Sequence, residues 1–149
     1  MVGMHTPDAE MARLASKALL YSIDRIRVDP PPLGAPRPYE ELLALVGQTI
    51  TPEGITGAEA LRLFIEVLAP SSIAVDHPKF LSFVPGAPTE ASIIFDMVVS
   101  AASIYAGSWL EGAGAVFAEN QALRWLSDMV GFPKTAGGVF VQGGTIGNL

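Results

Sequence analysis

The residues best suited to chemistry lie near the end of the chain, in the run Gly143-Gly144-Thr145-Ile146-Gly147. Glycines let the backbone approach a ligand closely, and Thr145 adds a hydroxyl that can donate to a phosphate oxygen. When a helix follows such a turn, the N–H groups form an anion site. The run lacks the Gly-Lys-Ser/Thr end of a nucleotide P-loop, and Gln142 stands where the dinucleotide fingerprint needs a glycine. A tight strand-to-helix turn that binds no ligand therefore stays an alternative.

A second candidate is the segment from His77 to Pro88, called the 77–88 loop below, which has three prolines and two aromatic residues. This composition predicts an ordered loop rather than a helix or a strand. A stiff apolar wall of this kind suits a small ligand. His77 precedes a proline, and we expect it to hydrogen-bond within the loop rather than to act as a base.

The remaining polar and aromatic side chains predict no further site. Glu111 and Glu119 are too isolated in sequence to indicate a pair of catalytic carboxylates. No metal-ligand spacing occurs and the sequence has no cysteine, so we assign no metal site. Trp109 and Trp125 are expected to pack rather than to form a stacking platform.

Three helices separated by proline and glycine are predicted to form an N-terminal helical arm. The first opens with Thr6 as its cap, and the third opens with a capping box from Thr56 to Glu59. Each helix has one apolar face, so the arm has little core of its own and should pack on something else. Their predicted limits are Thr6 to before Pro30, Pro38 to Gly47, and Thr56 to Pro70.

Helical spacing resumes after the 77–88 loop, and the period then changes. The pattern predicts a helix from Thr89 to about Ala106, a break at 108–114, and a further helix from Glu119 to Val130. The run 139–141 is too brief for a helix and predicts a strand that leads into the glycine turn. Two helices, a strand, a tight turn and a helix start are the opening of an α/β domain.

Composition excludes several classes of partner. Half of the 149 residues are hydrophobic and only 16% are charged, so much of the surface is expected to need a partner. The net charge of −6, without a cluster of Lys or Arg, argues against nucleic acid. The longest uncharged stretch, 97–110, is shorter than the roughly 20 residues that a spanning helix needs. No secretory signal is visible, so we expect a cytoplasmic protein that binds no membrane.

Three blocks of the sequence resemble the group II pyridoxal-phosphate-dependent amino-acid decarboxylases, the family of aromatic-amino-acid, glutamate and histidine decarboxylases. His77-Pro78-Lys79-Phe80 is similar to the family's His-Pro-Arg/Lys-Phe segment, and Trp109 with the helix that follows Glu119 is similar to its next block. The run 137–148 is similar to its Gly-Gly-Val strand and cofactor-phosphate turn. Order and spacing match from about residue 76 to the end, and the helical arm is similar less specifically.

The resemblance implies an α/β enzyme of fold-type I, with pyridoxal 5'-phosphate as cofactor and an amino acid as small-molecule substrate. It implies that residues 1–87 form the arm and the substrate-side loop, and that residues 88–149 begin the cofactor-binding large domain. A homodimer, in which each arm embraces the partner subunit, is also implied. The residues implied at the site are Gly144, Thr145 and Asn148 for the cofactor, and Phe83, Val84, Pro85 and Gly86 for the substrate.

At two positions the chain departs from the aromatic-amino-acid enzymes, since Val84 replaces an aromatic residue and Gly86 replaces a small hydroxyl residue. The identity of the amino acid therefore stays open. The resemblance places the Schiff-base lysine beyond residue 149, so no catalytic residue is assigned and we expect this polypeptide alone to be inactive. Two alternatives remain: another fold-type I lyase, such as a sphingosine-phosphate-lyase-like enzyme, and a non-enzymatic dimerisation module.

Overall fold

The computed structural model describes residues 8–149 and, in that range, contains helices and no β-strand. The chain divides into two compact units, with the boundary after Ile94. The predicted domain division after residue 87 stays a prediction. The helices are α1 (Ala9–Arg27), α2 (Tyr39–Val46), α3 (Gly57–Leu63) with a π-helical continuation (Phe64–Leu68), α4 (Glu90–Ala102), α5 (Trp109–Met129) and α6 (Gly144–Gly147).

Helix α1 has charged residues at both ends that complement its dipole. The Asp8 side chain caps the helix by accepting the Met11 N–H at 2.6 Å. Arg25 and Arg27 lie in the last turn, near the negative end of the dipole. The predicted cap, Thr6, lies outside the described residues.

The predicted C-terminal stop of α2 and the predicted N-terminal cap of α3 are confirmed. Gly47 adopts φ +71° and its N–H donates to the Leu43 carbonyl at 2.8 Å, which terminates α2. Thr56 Oγ1 accepts the Glu59 N–H at 3.2 Å and so caps α3. The reciprocal half of the capping box is replaced by an ion pair, in which Glu59 binds Arg62 at 2.7 Å.

The proline-rich connector between α1 and α2, residues 28–38, packs against residues 70–74, which follow the π-helical turn. The Ala74 N–H donates to the Leu33 carbonyl at 2.8 Å, and the Ala35 N–H donates to the Pro70 carbonyl at 3.4 Å. Gly34 lies between these bonds at φ +69°, and a Cβ added there would lie 2.1 Å from the Ser72 carbonyl oxygen. Only glycine allows this close approach of two backbones.

The second unit corrects two predicted boundaries. Helix α4 ends at Ala102, and the next residue, Ser103, adopts φ +51°. The predicted break at 108–114 is confirmed as a kink at Gly112, whose φ of −127° and ψ of 32° are non-helical, although helical residues already begin at Trp109. Gly112 is buried, and a Cβ added there would lie 2.3 Å from the Tyr105 carbonyl oxygen. Glycine at this position therefore permits a close backbone contact at the kink. The predicted stop of α5 is confirmed by Gly131 at φ +77°.

The run 139–141, predicted as a strand, has irregular structure here. A strand requires a neighbour that accepts and donates ladder hydrogen bonds, and none lies beside it in the described part of the chain. The Phe140 N–H instead donates to Glu119 Oε1 at 3.1 Å. The α/β fold class consequently stays a prediction.

Very little of the chain is buried. Its accessible surface is 12054 Å², whereas a folded monomer of its mass exposes about 7,300 Å² and two separate folded units of these sizes together expose about 8,700 Å². Leu63, with 5% of its surface exposed, is the one large apolar side chain that is buried between residues 8 and 149. Many large apolar side chains contribute to this exposed surface, which another polypeptide could cover.

A matched pair of glycines tests the contact between the connector and the segment after the π-helical turn. Gly34 and Gly54 both adopt positive φ, but the space around a Cβ at Gly54 is open. We expect Gly54→Ala to lower the free energy of unfolding by about 1 kcal/mol, and Gly34→Ala by about 3 kcal/mol because a clash is added to the strain. Urea unfolding followed by circular dichroism measures both. Equal losses would contradict the close approach.

Candidate functional site

The glycine turn places the three predicted phosphate-binding residues within one short segment. Gly143 precedes α6, and the first-turn N–H groups of Gly144, Thr145 and Ile146 have no acceptor inside the helix. Thr145 and Asn148 are three residues apart, a spacing that puts neighbouring side chains on one side of a helix. The Asn148 N–H donates to the Gly144 carbonyl at 3.0 Å, which closes the turn.

The donors of this turn fit the phosphate end of the implied cofactor. They comprise backbone N–H groups, the Thr145 hydroxyl and the Asn148 amide, all of which can donate to phosphate oxygens. A Cβ added at Gly143 or Gly144 would meet no atom within 4 Å, so packing within the chain does not require glycine there. The same two positions leave the backbone open to a ligand. At Gly147, in contrast, a Cβ would lie 3.3 Å from Val141 Cγ2.

The predicted substrate residues lie on an exposed part of the 77–88 loop. Phe83 is 89% exposed and Val84 is 99% exposed, and Pro85 and Gly86 are exposed too. Phe83 adopts φ +59°, a left-handed conformation that is strained for an aromatic residue. Its ring centroid lies 6.2 Å from that of Phe80. An exposed aromatic side chain held in a strained backbone conformation is typical of a ligand-contacting loop.

His77 has the structural role predicted for it. Its Nδ1 accepts the Lys79 N–H at 3.0 Å, and its carbonyl accepts the Phe80 N–H at 2.8 Å. These bonds close a turn at the start of the loop and leave His77 without a partner that would make it a general base.

A cavity of about 900 Å³ in the first unit, called the arm cavity below, was not predicted. Of the predicted substrate residues only Gly86 lines it. The rings of Tyr21 and Phe64 meet edge to face on its wall, with centroids 6.1 Å apart. Arg25 and Asp76 also line it.

Arg25 and Asp76 form a two-pronged ion pair beside the arm cavity. Arg25 Nη1 lies 3.0 Å from Asp76 Oδ2, and Nη2 lies 2.8 Å from Oδ1. The side chains are 32% and 22% exposed, so water screens the pair only in part. The hydrogen bonds from Arg25 lower the pKa of Asp76, and those to Asp76 raise the pKa of Arg25. No local spacing rule reveals a pair 51 residues apart.

The acidic residues of the second unit have local structural partners. Ser108 donates to Glu111, and Glu119 accepts the Phe140 N–H. Lys134 and Arg124 both bind Asp128, and Lys134 is the largest cause of the lowered pKa of Asp128. Within residues 8–149 no cluster of three or more metal-ligating side chains occurs. In the same range no helix is long and apolar enough to cross a membrane.

The chain is similar to curated amino-acid decarboxylases over part of its length. It is 43% identical over 75 residues to an aromatic-L-amino-acid decarboxylase of Bacillus atrophaeus, a match that covers 50% of this chain and 16% of that protein. It is 28% identical over 110 residues to an L-2,4-diaminobutyrate decarboxylase of Acinetobacter baumannii, covering 74% of this chain and 22% of the relative. The matches thus span less than a quarter of these relatives. No protein-family model and no solved structure matches the chain.

The Arg25–Asp76 pair should make the stability of the first unit depend on pH. Because the pKa of Asp76 is lowered on folding, the pair stabilises fully above the ordinary carboxyl pKa of about 3.9 and loses its effect as the pH falls through the lower folded value. Asp76→Asn should therefore cost about 1 kcal/mol at neutral pH and progressively less in acid. Urea unfolding at several pH values measures this difference.

Asp24→Asn on α1 is the matched control, since Asp24 is exposed and makes no ion pair with any other residue between 8 and 149. A cost of Asp76→Asn that stays constant down to strong acid would contradict the ion-pair account.

Proposed function

We propose that this chain is the N-terminal portion of a pyridoxal-phosphate-dependent amino-acid decarboxylase, an enzyme that releases carbon dioxide from an L-amino acid. The similarity to the Bacillus atrophaeus decarboxylase over 75 residues is the observation that carries the proposal. The donors of the glycine turn support it independently, because they match the phosphate end of that cofactor.

In this proposal Gly144 and Thr145 bind the cofactor phosphate through backbone N–H groups and a hydroxyl, and Asn148 completes the turn. The cofactor, when bound, supplies an electron sink for the carbanion left by departing carbon dioxide. The contribution of this chain is to fix the phosphate end, so that the ring has one position. We expect the lysine that would hold the cofactor and the acid that would face its ring nitrogen to lie beyond residue 149.

The exposed part of the 77–88 loop forms one wall of the substrate pocket. Phe83, Val84, Pro85 and Gly86 present apolar surface and little hydrogen-bonding capacity, which suits the side chain of an amino acid rather than its charged groups. Val84 and Gly86 are smaller than the residues of the aromatic-amino-acid enzymes at these positions, so the pocket has a different shape on this side.

The proposal includes a cytoplasmic homodimer with the α/β fold of the fold-type I enzymes. The chain exposes at least about 3,300 Å² more than its folded units would, and obligate interfaces cover about 2,000 to 5,000 Å². Contacts with the large domain and with a second subunit would together cover this area. A neighbouring strand of that domain would also supply the ladder partners that the run 139–141 lacks.

A chimera tests the proposal directly. In it, all 149 residues of this chain replace a stretch of equal length in the Bacillus atrophaeus decarboxylase, chosen by extending the 75-residue alignment in both directions. We expect the chimera to bind pyridoxal phosphate and to release carbon dioxide from an amino acid, whereas this chain alone does neither. The parent enzyme is the positive control. A folded chimera that binds no cofactor, or that binds cofactor without turnover, contradicts the proposal.

Thr145 allows a finer test in the same chimera. Thr145→Val keeps the shape of the side chain but removes the hydroxyl, so we expect the Kd for pyridoxal phosphate to rise by about tenfold or more, as for the loss of one hydrogen bond to a charged group. Thr145→Ser keeps the hydroxyl and should bind nearly as the parent does. A spectroscopic titration measures both values, and equal Kd values for the two variants would contradict a phosphate contact at Thr145.

A further inference from the structure

Both ends of the 77–88 loop are bound to the last turn of the same helix. Asp76, the residue before the loop, binds Arg25 of α1 through two hydrogen bonds of 2.8 and 3.0 Å. Glu90, two residues after the loop, binds Arg27 of α1 at 3.2 Å. Both contacts lie within the first unit, and both join residues more than 50 positions apart in the chain.

The two arginines hold the loop from different sides of α1. Residues two positions apart on an α-helix point about 200° from each other, so Arg25 and Arg27 do not share a face. Arg25 is two-thirds buried and forms the stronger, two-pronged contact, whereas the Arg27–Glu90 pair is mostly exposed and weaker. The start of the loop is consequently fixed more firmly than its end.

Between these two contacts the loop has few bonds of its own. The turn at His77 and the ring contact between Phe80 and Phe83 lie in its first half. Phe83 and Val84 are 89% and 99% exposed, so packing within the chain does little to define their conformation. Phe83 nevertheless adopts a strained left-handed conformation, which persists only where the surrounding structure imposes it.

The returning half of the loop lies over the arm cavity, next to the ion pair that holds the start. Gly86, Ala87 and Pro88 line this cavity together with Arg25 and Asp76. The loop therefore begins beside α1, where Asp76 pairs with Arg25, and continues through the exposed residue Phe83. It then returns to the wall of the arm cavity before α4 begins.

We propose that Arg25 and Arg27 are positioning residues, which set the conformation of residues 83–86 by holding the two ends of the 77–88 loop on α1. The contact between residues 83–86 and the substrate rests on the proposed function. The attachment of the loop to α1 rests only on the two ion pairs and the arm cavity.

A distance measurement tests whether the two arginines hold the loop, without reference to activity. The sequence has no cysteine, so Lys17→Cys on α1 and Ser82→Cys in the loop give two unique sites for nitroxide labels. Pulsed electron resonance should show a narrow distance distribution. Adding Arg25→Gln should increase the population at displaced distances by about tenfold, the effect of losing one charge-assisted pair. Arg27→Gln should have a smaller effect in the same direction.

Arg62→Gln is the matched control, because Arg62 also pairs with two carboxylates, Glu59 and Glu66, and neither of them lies in the loop. It should leave the distribution unchanged. Arg25→Glu combined with Asp76→Arg should restore the narrow distribution, a rescue that general destabilisation would not give. If Arg25→Gln unfolds the arm, the same distance measurement is made on Glu90→Gln, which breaks only the exposed Arg27–Glu90 pair. An unchanged distribution in that variant, or equal broadening in Arg62→Gln, overturns the proposal.

The chimera then tests the link to substrate. With the loop loosened by Arg27→Gln, KM for the amino acid should rise by a larger factor than kcat falls, and the Kd for pyridoxal phosphate should stay unchanged. A KM that does not respond while the label distances do would overturn the substrate-side assignment of the loop. An inactive chimera would count against the proposed function, but the distance measurement would still test whether α1 holds the loop.

Discussion

This chain buries little apolar surface, and this property limits how its helices and its candidate site are stabilised. A sequence that is half hydrophobic folds here into helices with one large apolar side chain, Leu63, buried in the described range. Short helices such as α2 and α3 are marginal in water without tertiary packing. Within the described residues the chain is organised by local caps, ion pairs and close backbone contacts, and many of its large apolar side chains are exposed.

The two parts of the candidate site differ in how they meet this constraint. The 77–88 loop is held inside the first unit by contacts that the chain itself supplies, above all the pair between Arg25 and Asp76. The glycine turn has donors that suit a phosphate, and the run 139–141 before it has irregular structure. The loop is thus held by long-range ion pairs of this polypeptide, whereas the role of the turn stays a proposal.

Local features were predictable from the sequence and long-range ones were not. The stop at Gly47 and the cap at Thr56 follow from rules that involve a few neighbouring residues, and both are confirmed. The kink at Gly112 lies inside the predicted break, whereas the helical residues that precede it from Trp109 were not predicted. The Arg25–Asp76 pair joins residues 51 positions apart, and no periodicity or spacing indicates it. The cofactor and substrate residues stay predictions.

The most direct test of this account is hydrogen exchange at the amides of α5, compared between the chain alone and the chimera with the Bacillus atrophaeus decarboxylase. If the exposed apolar faces are interfaces, covering them should slow exchange along α5 by about a hundredfold or more. Equal exchange rates in the two proteins would contradict the account, because the helix would then be as stable with its apolar face in water as in an assembled enzyme.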